Sequence, residues 1–264
     1  MEILTPRTLA EAVDLKAEHP GALPIQGGTD VMVAFNFDRA RPGVVLNLNE
    51  VAALRGWSRE DGEIRLGAGM TYTEAMEGEV ASLLPALAEA SRTVGSPQIR
   101  NRGTIGGNLG TASPAGDALP PLVVEGAEVE CMSVRGARRV PLVDFVTGVK
   151  RSVLADDELI VAVWLRPSGA PQTFMKIGPR NAMVIAVCSL ALVLDRERDE
   201  LRASFGSAGP VAGVVSAPIA EVDAFPEQVA EAASPIDDVR GTAAYRRHAL
   251  RVLTSRALKR CLVA

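Results

Sequence analysis

The sequence predicts a mixed α and β protein of about two domains, and three observations carry that prediction. Helix-start signatures recur among short apolar runs of strand length. A small-residue connection ending in proline, Ser168-Gly169-Ala170-Pro171, divides the chain. A long segment broken by glycine and proline, Ser96 to Asp117, occupies the middle. The chain has 264 residues, 47 % of them apolar and 23 % charged, which is ordinary globular composition with room for sizeable cores.

In chain order, Thr8-Leu9-Ala10-Glu11 has capping-box spacing and opens a helix that His19-Pro20-Gly21 ends. Ala22 to Ile25 reads as a short strand leading into Gly27-Gly28-Thr29-Asp30, and Val44 to Leu48 as another. These pieces make a small α/β unit. Glu63 to Leu66 alternates like a half-buried strand, and Thr71 to Glu74 repeats the capping-box spacing. Leu83, Leu84, Leu87 and Ala88 continue a helical face that Pro85 breaks. Pro120 and Pro121 fit the first turn of a helix capped by Asp117. Glu128 to Ser133 and Arg139 to Leu142 form a hairpin around Arg135-Gly136-Ala137. Val143 to Val146 reads as a turn of helix, and Leu159 to Leu165 as a buried strand. Beyond the connection, strands are expected at Thr173 to Ile177, Leu190 to Leu194 and Leu201 to Phe205. A Gly/Ala/Val/Pro-rich connection spans Gly206 to Pro218. Thr242 caps a final helix with the apolar stripe Leu250, Leu253, Ala257 and Cys261.

Composition excludes several classes. A net charge of −4 does not suggest a nucleic-acid or anionic-membrane partner, and 4 % aromatic residues argue against base stacking. Cys131, Cys188 and Cys261 form no CxxC pair and read as buried thiols in a reducing, cytoplasmic compartment. With only His19 and His248 besides, no metal site and no catalytic side-chain set is expected. The longest apolar run, Ala182 to Leu194, is 13 residues interrupted by Ser189. A membrane span needs about 20, so the run is read as a buried element. No signal peptide is expected at the start, where Glu2 and Arg7 flank only a few apolar residues.

The central segment carries the chemistry. Glycines at 103, 106, 107, 110 and 116 and prolines at 97 and 114 predict a loop rather than a helix or central strand. Main-chain N–H groups exposed in such a loop make a cradle for anionic oxygens. Gly27-Gly28-Thr29-Asp30 follows a strand, as a second cradle should. Neither matches GxGxxG or a Walker A loop. Alone, a Gly-Gly turn is usually only a tight turn; two cradles together suit a dinucleotide with two phosphates. Asp117 repels phosphate and suits either helix capping or acceptance from a ligand O–H or N–H. Lys176, alone on a strand, reads as solvated. The cationic side chains of the final helix read as a solvated face first and a surface for an acidic partner second.

These stretches resemble the FAD-binding (medium) subunit of the molybdenum hydroxylases, the xanthine dehydrogenase and carbon-monoxide dehydrogenase family. The most specific match runs from Gly95-Ser96-Pro97-Gln98-Ile99-Arg100-Asn101 through Thr104-Ile105-Gly106-Gly107-Asn108 to Thr111-Ala112-Ser113-Pro114-Ala115-Gly116-Asp117. Ile25 to Val31, Phe174 to Met183, and Asp237-Asp238-Val239-Arg240-Gly241 with Tyr245-Arg246-Arg247 also match. The details are more similar to the purine-oxidising branch than to the carbon-monoxide branch.

The resemblance implies an α+β chain. A FAD-binding fold of the vanillyl-alcohol-oxidase (PCMH) type would span residues 1–167, in subdomains of about 1–55 and 56–167. A small C-terminal α+β domain with a three-stranded antiparallel sheet would span 172–264. Pro24, Ile25, Gln26, Gly27, Gly28, Thr29, Asp30 and Val31, with Thr104, Ile105, Gly106, Gly107 and Asn108, would wrap the pyrophosphate side of FAD. Val94 would border the cofactor and Asp117 make a polar contact to it. Ile160 and Lys176 would lie near the isoalloxazine, where a cation favours the reduced ring. Molybdopterin and [2Fe–2S] clusters would belong to a large and a small partner subunit, in a possible dimer of heterotrimers. The implied activity is an oxidoreductase subunit that passes electrons from those clusters to NAD⁺ or another acceptor. Hydroxylation of a purine or other N-heterocycle would occur on the molybdenum subunit. The alternatives are a carbon-monoxide-type medium subunit, a stand-alone flavin oxidase or reductase, and a non-catalytic scaffold. Gly206 to Pro235 is shorter than usual in the family, which bears on partner contact.

Overall fold

The computed structural model describes residues 1–263. A three-stranded parallel sheet opens the chain, in the order Glu2–Leu4, Val44–Asn47, Leu23–Ile25. The Leu9–Glu18 helix begins as its sequence predicts, with the Thr8 hydroxyl accepting from Glu11 N at 3.1 Å. A five-stranded antiparallel sheet follows, in the order Trp57–Glu60, Glu63–Gly67, Leu159–Leu165, Glu128–Ser133, Gly136–Pro141.

The central strand, Leu159–Leu165, joins two cores. A bulge between Ile160 and Ala162 adds a residue and reverses the facing of the remaining half of the strand. Before it, Leu159 and Val161 pack with Ala12, Leu46 and Leu54. After it, Val163 and Leu165 pack with Leu87, Leu109 and Leu122. Ile160 is left half-buried on the second side.

A four-stranded antiparallel sheet completes the fold: Gln172–Ile177, Cys188–Asp195, Glu200–Gly206, Gly213–Pro218. Every residue of Cys188–Asp195 is buried. On one face Leu190, Leu192 and Leu194 meet Phe225, Leu250 and Leu253 of the helices Phe225–Ala232 and Ala243–Leu262. On the other, Ala191 and Val193 meet Ala86, Ala90 and Val124. A strand covered on both faces reads as a continuous apolar run. That explains the second half of Ala182 to Leu194. No helix among the described residues is long and apolar enough to cross a membrane.

Three local expectations change. The sheet expected to hold three strands has a fourth, Gly213–Pro218, in the stretch read as a connection. Its Gly213 sits against the Phe205 ring, where a Cβ would come within 2.2 Å of Cζ. As expected, Pro85 breaks the helical run, since Gly78–Leu83 ends before it and Pro85–Thr93 starts on it. Asp117 does not cap Leu119–Val124, because its carboxylate is held by Lys176. The segment expected to be a loop contains a helix, Ile105–Thr111, with Thr104 as its cap. Glycine costs about 1 kcal/mol per residue in a helix relative to alanine, and burial of Ile105 and Leu109 offsets that here.

Two carboxylates, the half-buried Glu89 and the buried Glu125, tie the last sheet to the helices before it. Glu89 accepts from Thr173 Oγ1 and Phe174 N, both at 2.7 Å. Glu125 accepts from Ser168 N at 3.0 Å, Ser168 Oγ at 2.9 Å and Gln172 Nε2 at 2.6 Å. Burial raises the Glu125 carboxyl above its ordinary 4.5, and the Ser168 bonds pull it partly back. A raised carboxyl contributes stability that is fully present below the unfolded value and lost as pH rises through the folded one. The stability of Glu125→Gln relative to wild type is therefore expected to rise as pH rises past 4.5, measured by urea denaturation across a pH series.

Candidate functional site

The strand Leu23–Ile25 ends in Gly27 and Gly28. Gly28 takes a positive φ of 73°, which glycine adopts without strain. The turn runs into a short helix, Val31–Asn36, whose cap residue Asp30 makes no side-chain capping bond. The N–H groups of Gly28, Thr29, Asp30 and Val31 donate to no acceptor among the described residues. Unused donors at a glycine turn are what an anion cradle requires.

The second glycine segment works differently. Ile105 N donates to Met70 O at 2.9 Å, Gly106 N to Ala68 O at 2.8 Å, and Gly107 N to Thr104 Oγ1 at 3.0 Å. Its first N–H groups are consumed within the chain, so it is not a cradle of bare donors. Gly106 instead permits close packing, since a Cβ there would lie 2.6 Å from Ala68 Cβ. Gly107 and Gly110 are exposed and present bare main chain on one side of the helix.

The two segments touch. A Cβ on Gly27 would lie 2.1 Å from Arg102 O. Arg102 Nη2 reaches back to Gln26 O at 3.4 Å and Asn49 Oδ1 at 3.2 Å. Thr111 Oγ1 donates to Asp30 Oδ2 at 3.4 Å.

Between them lies a cavity of about 590 Å³, within the range of pockets that hold small molecules and cofactors. Pro24, Ile25, Gln26, Gly27, Gly28, Thr29, Asp30 and Val31 line it, as do Val94, Thr104, Gly106, Gly107, Asn108, Asp117 and Ile160. Two expected residues do not. Ile105 turns into the core and is fully buried with Leu109. Lys176 sits behind Asp117, its ammonium bound to Asp117 Oδ2 at 2.6 Å, Thr93 O at 3.0 Å and Val184 O at 3.2 Å.

Sequence reasoning missed Tyr72, Ile99, Glu158, Val184 and Ile185 on the cavity wall, and had Gly110 and Gly116 only as part of the glycine segment. Gly110 was discoverable, because it falls three and four residues after Gly107 and Gly106 on one helix face. Val184 and Ile185 arrive from the last sheet, and nothing in their local sequence signals it.

Polar atoms in this wall are left without partners. Asp117 is buried, and its second oxygen, Oδ1, has no hydrogen bond; nor has the buried Asn108 Oδ1. Burial raises the Asp117 carboxyl, and the Lys176 ammonium partly reverses that. Tyr72 is buried, and burial followed by the Asp117 charge holds its phenol far above the ordinary range. Glu158 is engaged by Arg138 at 2.6 and 2.7 Å. No group of three or more His, Cys, Asp and Glu among the described residues is placed to hold a metal. The wall thus offers unused N–H donors at one place, unused acceptors at another, and glycine surface with apolar side chains between. That arrangement fits a long ligand with anionic oxygens and a polar ring edge.

Comparison with known proteins identifies a family and a fold. Residues 1–166 match the family described as the FAD binding domain in molybdopterin dehydrogenase. The chain is 31 % identical over 275 residues to the xanthine dehydrogenase FAD-binding subunit of Escherichia coli O157:H7, covering 97 % of this chain and 94 % of that protein. It is 37 % identical over 194 residues to the nicotinate dehydrogenase FAD-subunit of Eubacterium barkeri, covering 70 % and 66 %. The fold matches quinoline 2-oxidoreductase from Pseudomonas putida 86 with a TM-score of 0.92 at 24 % identity, over 100 % of this chain and 98 % of that one.

The contact at Gly27 is directly testable. Gly27→Ala forces main chain apart and is expected to lower stability by about 1–3 kcal/mol. Gly21→Ala, where a Cβ meets nothing within 4 Å, serves as the control. Urea denaturation of both checks this.

Proposed function

This chain belongs to the family of FAD-binding domains of molybdopterin dehydrogenases, and on that premise we propose that it is the electron-transfer subunit of a multi-subunit molybdenum hydroxylase. A large subunit would carry molybdopterin and hydroxylate a purine or related N-heterocycle. A small subunit with [2Fe–2S] centres would deliver electrons, with NAD⁺ or another carrier as the acceptor. The relatives bear on this through their names: a xanthine dehydrogenase subunit and a nicotinate dehydrogenase subunit, both FAD-binding. Residues 1–167 would form the FAD-binding unit, in subdomains of about 1–55 and 56–167, and 172–264 a second unit.

The observation that carries the proposal is the pairing of unused donors at Gly28 to Val31 with unused acceptors at Asn108 and Asp117 in one cavity. FAD bound there would supply a carrier able to exchange electrons singly or in pairs. The turn at Gly27 to Val31 would direct its N–H groups at diphosphate oxygens. Gly107 and Gly110 would let the ligand lie against main chain. Asp117 Oδ1 would accept from a ring N–H, and the same buried position would keep water from that edge. Val94, Ile99 and Ile160 would give the ring apolar surface. No side chain in this set needs to act as a general acid or base.

Purification tests the proposal: the chain is expected to be yellow, with flavin absorbance bands, and a colourless protein that takes up no added FAD would reject it. Gly107→Val is expected to fold, since valine is tolerated in a helix and a Cβ there meets only Thr104 Oγ1, at 3.0 Å. It should nevertheless lose flavin, because the side chain fills the surface the ligand needs. Wild-type flavin content in that variant, read by absorbance after denaturation, would displace the ligand from this wall.

A further inference from the structure

The segment Asp237 to Gly241, with Tyr245 to Arg247, lies outside the cavity wall. Asp238 N donates to Gly241 O and Gly241 N to Asp238 O, both at 3.2 Å, which closes a tight turn with Val239 and Arg240 at its tip. One carboxylate braces that turn. Asp238 accepts from Arg240 N at 2.8 Å, from the Arg240 guanidinium at 2.9 and 3.1 Å, and from Arg246 Nη2 at 2.5 Å. The Arg246 bond first, then the Arg240 N–H, holds the Asp238 carboxyl well below the usual carboxylate range. Arg246 is buried, and its Nε has no partner, which costs free energy. What this brace holds in place is Val239, whose side chain is fully exposed.

The turn does not stand alone. Arg240 Nη1 reaches Ala186 O at 3.4 Å, and a Cβ on Gly241 would lie 3.1 Å from Val187 Cγ1 and 3.5 Å from Tyr245 Cδ1. The stretch holding Met183 and Ile185 is thereby brought to the turn. Met183, Ile185, Ile236, Val239 and Tyr245 are all exposed. Ile185 also lines the cavity, so the patch runs up to the cavity mouth. Tyrosine, methionine and arginine are among the residue types enriched at the cores of protein interfaces. Cations dominate the surroundings: Arg180, Arg240, Arg246 and Arg247 outnumber Asp237 and Asp238, on a chain whose net charge is −4. Arg180 and Arg247 spend their bonds on main-chain carbonyls, those of Met183 and Ala233.

We infer that this patch seats the iron–sulfur partner subunit, with Val239 entering an apolar recess of that subunit and the arginines facing its negative charge. The inference rests on the proposed function for the identity of the partner. Three features select this occupant. The patch reaches the cavity mouth, where a protein that hands electrons to a bound flavin has to come close. Its centre is apolar, as in lasting subunit contacts rather than brief encounters. Its surroundings are cationic, and a [2Fe–2S] cluster held by four thiolates is anionic even when oxidised, since two sulfides and four thiolates outweigh two ferric ions.

The assembled complex, produced together with its partner subunits and purified through a tag on this chain, tests this. Val239→p-benzoylphenylalanine places a photoreactive ring at the tip of the turn. Irradiation is expected to link this chain to the iron–sulfur subunit, identified by mass spectrometry of the adduct. A link to the molybdenum subunit, a link to a second copy of this chain, or no link overturns the inference. Val239→Glu gives the energetic readout, because a carboxylate pressed into an apolar recess near an anionic cluster opposes binding. Iron per mole of tagged chain is expected to fall by about tenfold or more. The control is Val134→Glu, which puts the same charge on an exposed valine at the tip of the 128–141 hairpin and is expected to keep wild-type iron. Wild-type iron in Val239→Glu overturns the inference. A wild-type complex that holds neither flavin nor iron rejects the functional reading itself, whereas one that holds both and links elsewhere rejects only the docking surface.

Discussion

Everything in this structure depends on a contact that side chains would forbid. Gly27 lies against the Arg102 carbonyl so closely that even a methyl group has no place. The contact joins the small parallel sheet to the segment that leads into the Ile105–Thr111 helix. Because main chain meets main chain, the turn with unused N–H groups and the helix with bare glycine faces end up on one wall. Arg102 reinforces the junction from outside by bonding Gln26 O and Asn49 Oδ1.

The two glycine segments illustrate two uses of one residue. At Gly28 the gain is conformational: a positive φ turns the strand into the next helix. At Gly106, Gly107 and Gly110 the backbone is ordinary helix, and the gain is surface. Each of those glycines weakens the helix by about 1 kcal/mol relative to alanine. A fold retains such a cost where a missing side chain makes room, as Gly106 does against Ala68. The orphaned oxygens of Asn108 and Asp117 make the same point in polar terms, since buried acceptors without partners are rare in finished structures.

Much of the architecture was legible in the sequence. Thr8, Thr71 and Thr242 cap helices where the spacing predicts, because capping is decided within a few residues. The 128–141 hairpin and the Leu159–Leu165 strand were likewise readable from local pattern. The cavity wall was legible where glycine density marked it. Three features were not. The Ile105–Thr111 helix defied its glycine content because Ile105 and Leu109 anchor it in the core. The strand Gly213–Pro218 has weak local preference and is made by pairing with Glu200–Gly206. The partners of Lys176 are separated from it by up to 83 residues, and no local pattern encodes such a meeting.

The strand Cys188–Asp195, dry on both faces, has a consequence for biosynthesis. The helix that seals one of its faces, Ala243–Leu262, comes after it by some fifty residues. While a ribosome is still adding those residues, an eight-residue ribbon, apolar at all but Ser189 and Asp195, stands half clothed. Slow closure of distant contacts leaves such ribbons open to sticking. That exposure lasts until the chain's own tail arrives to shelter the ribbon.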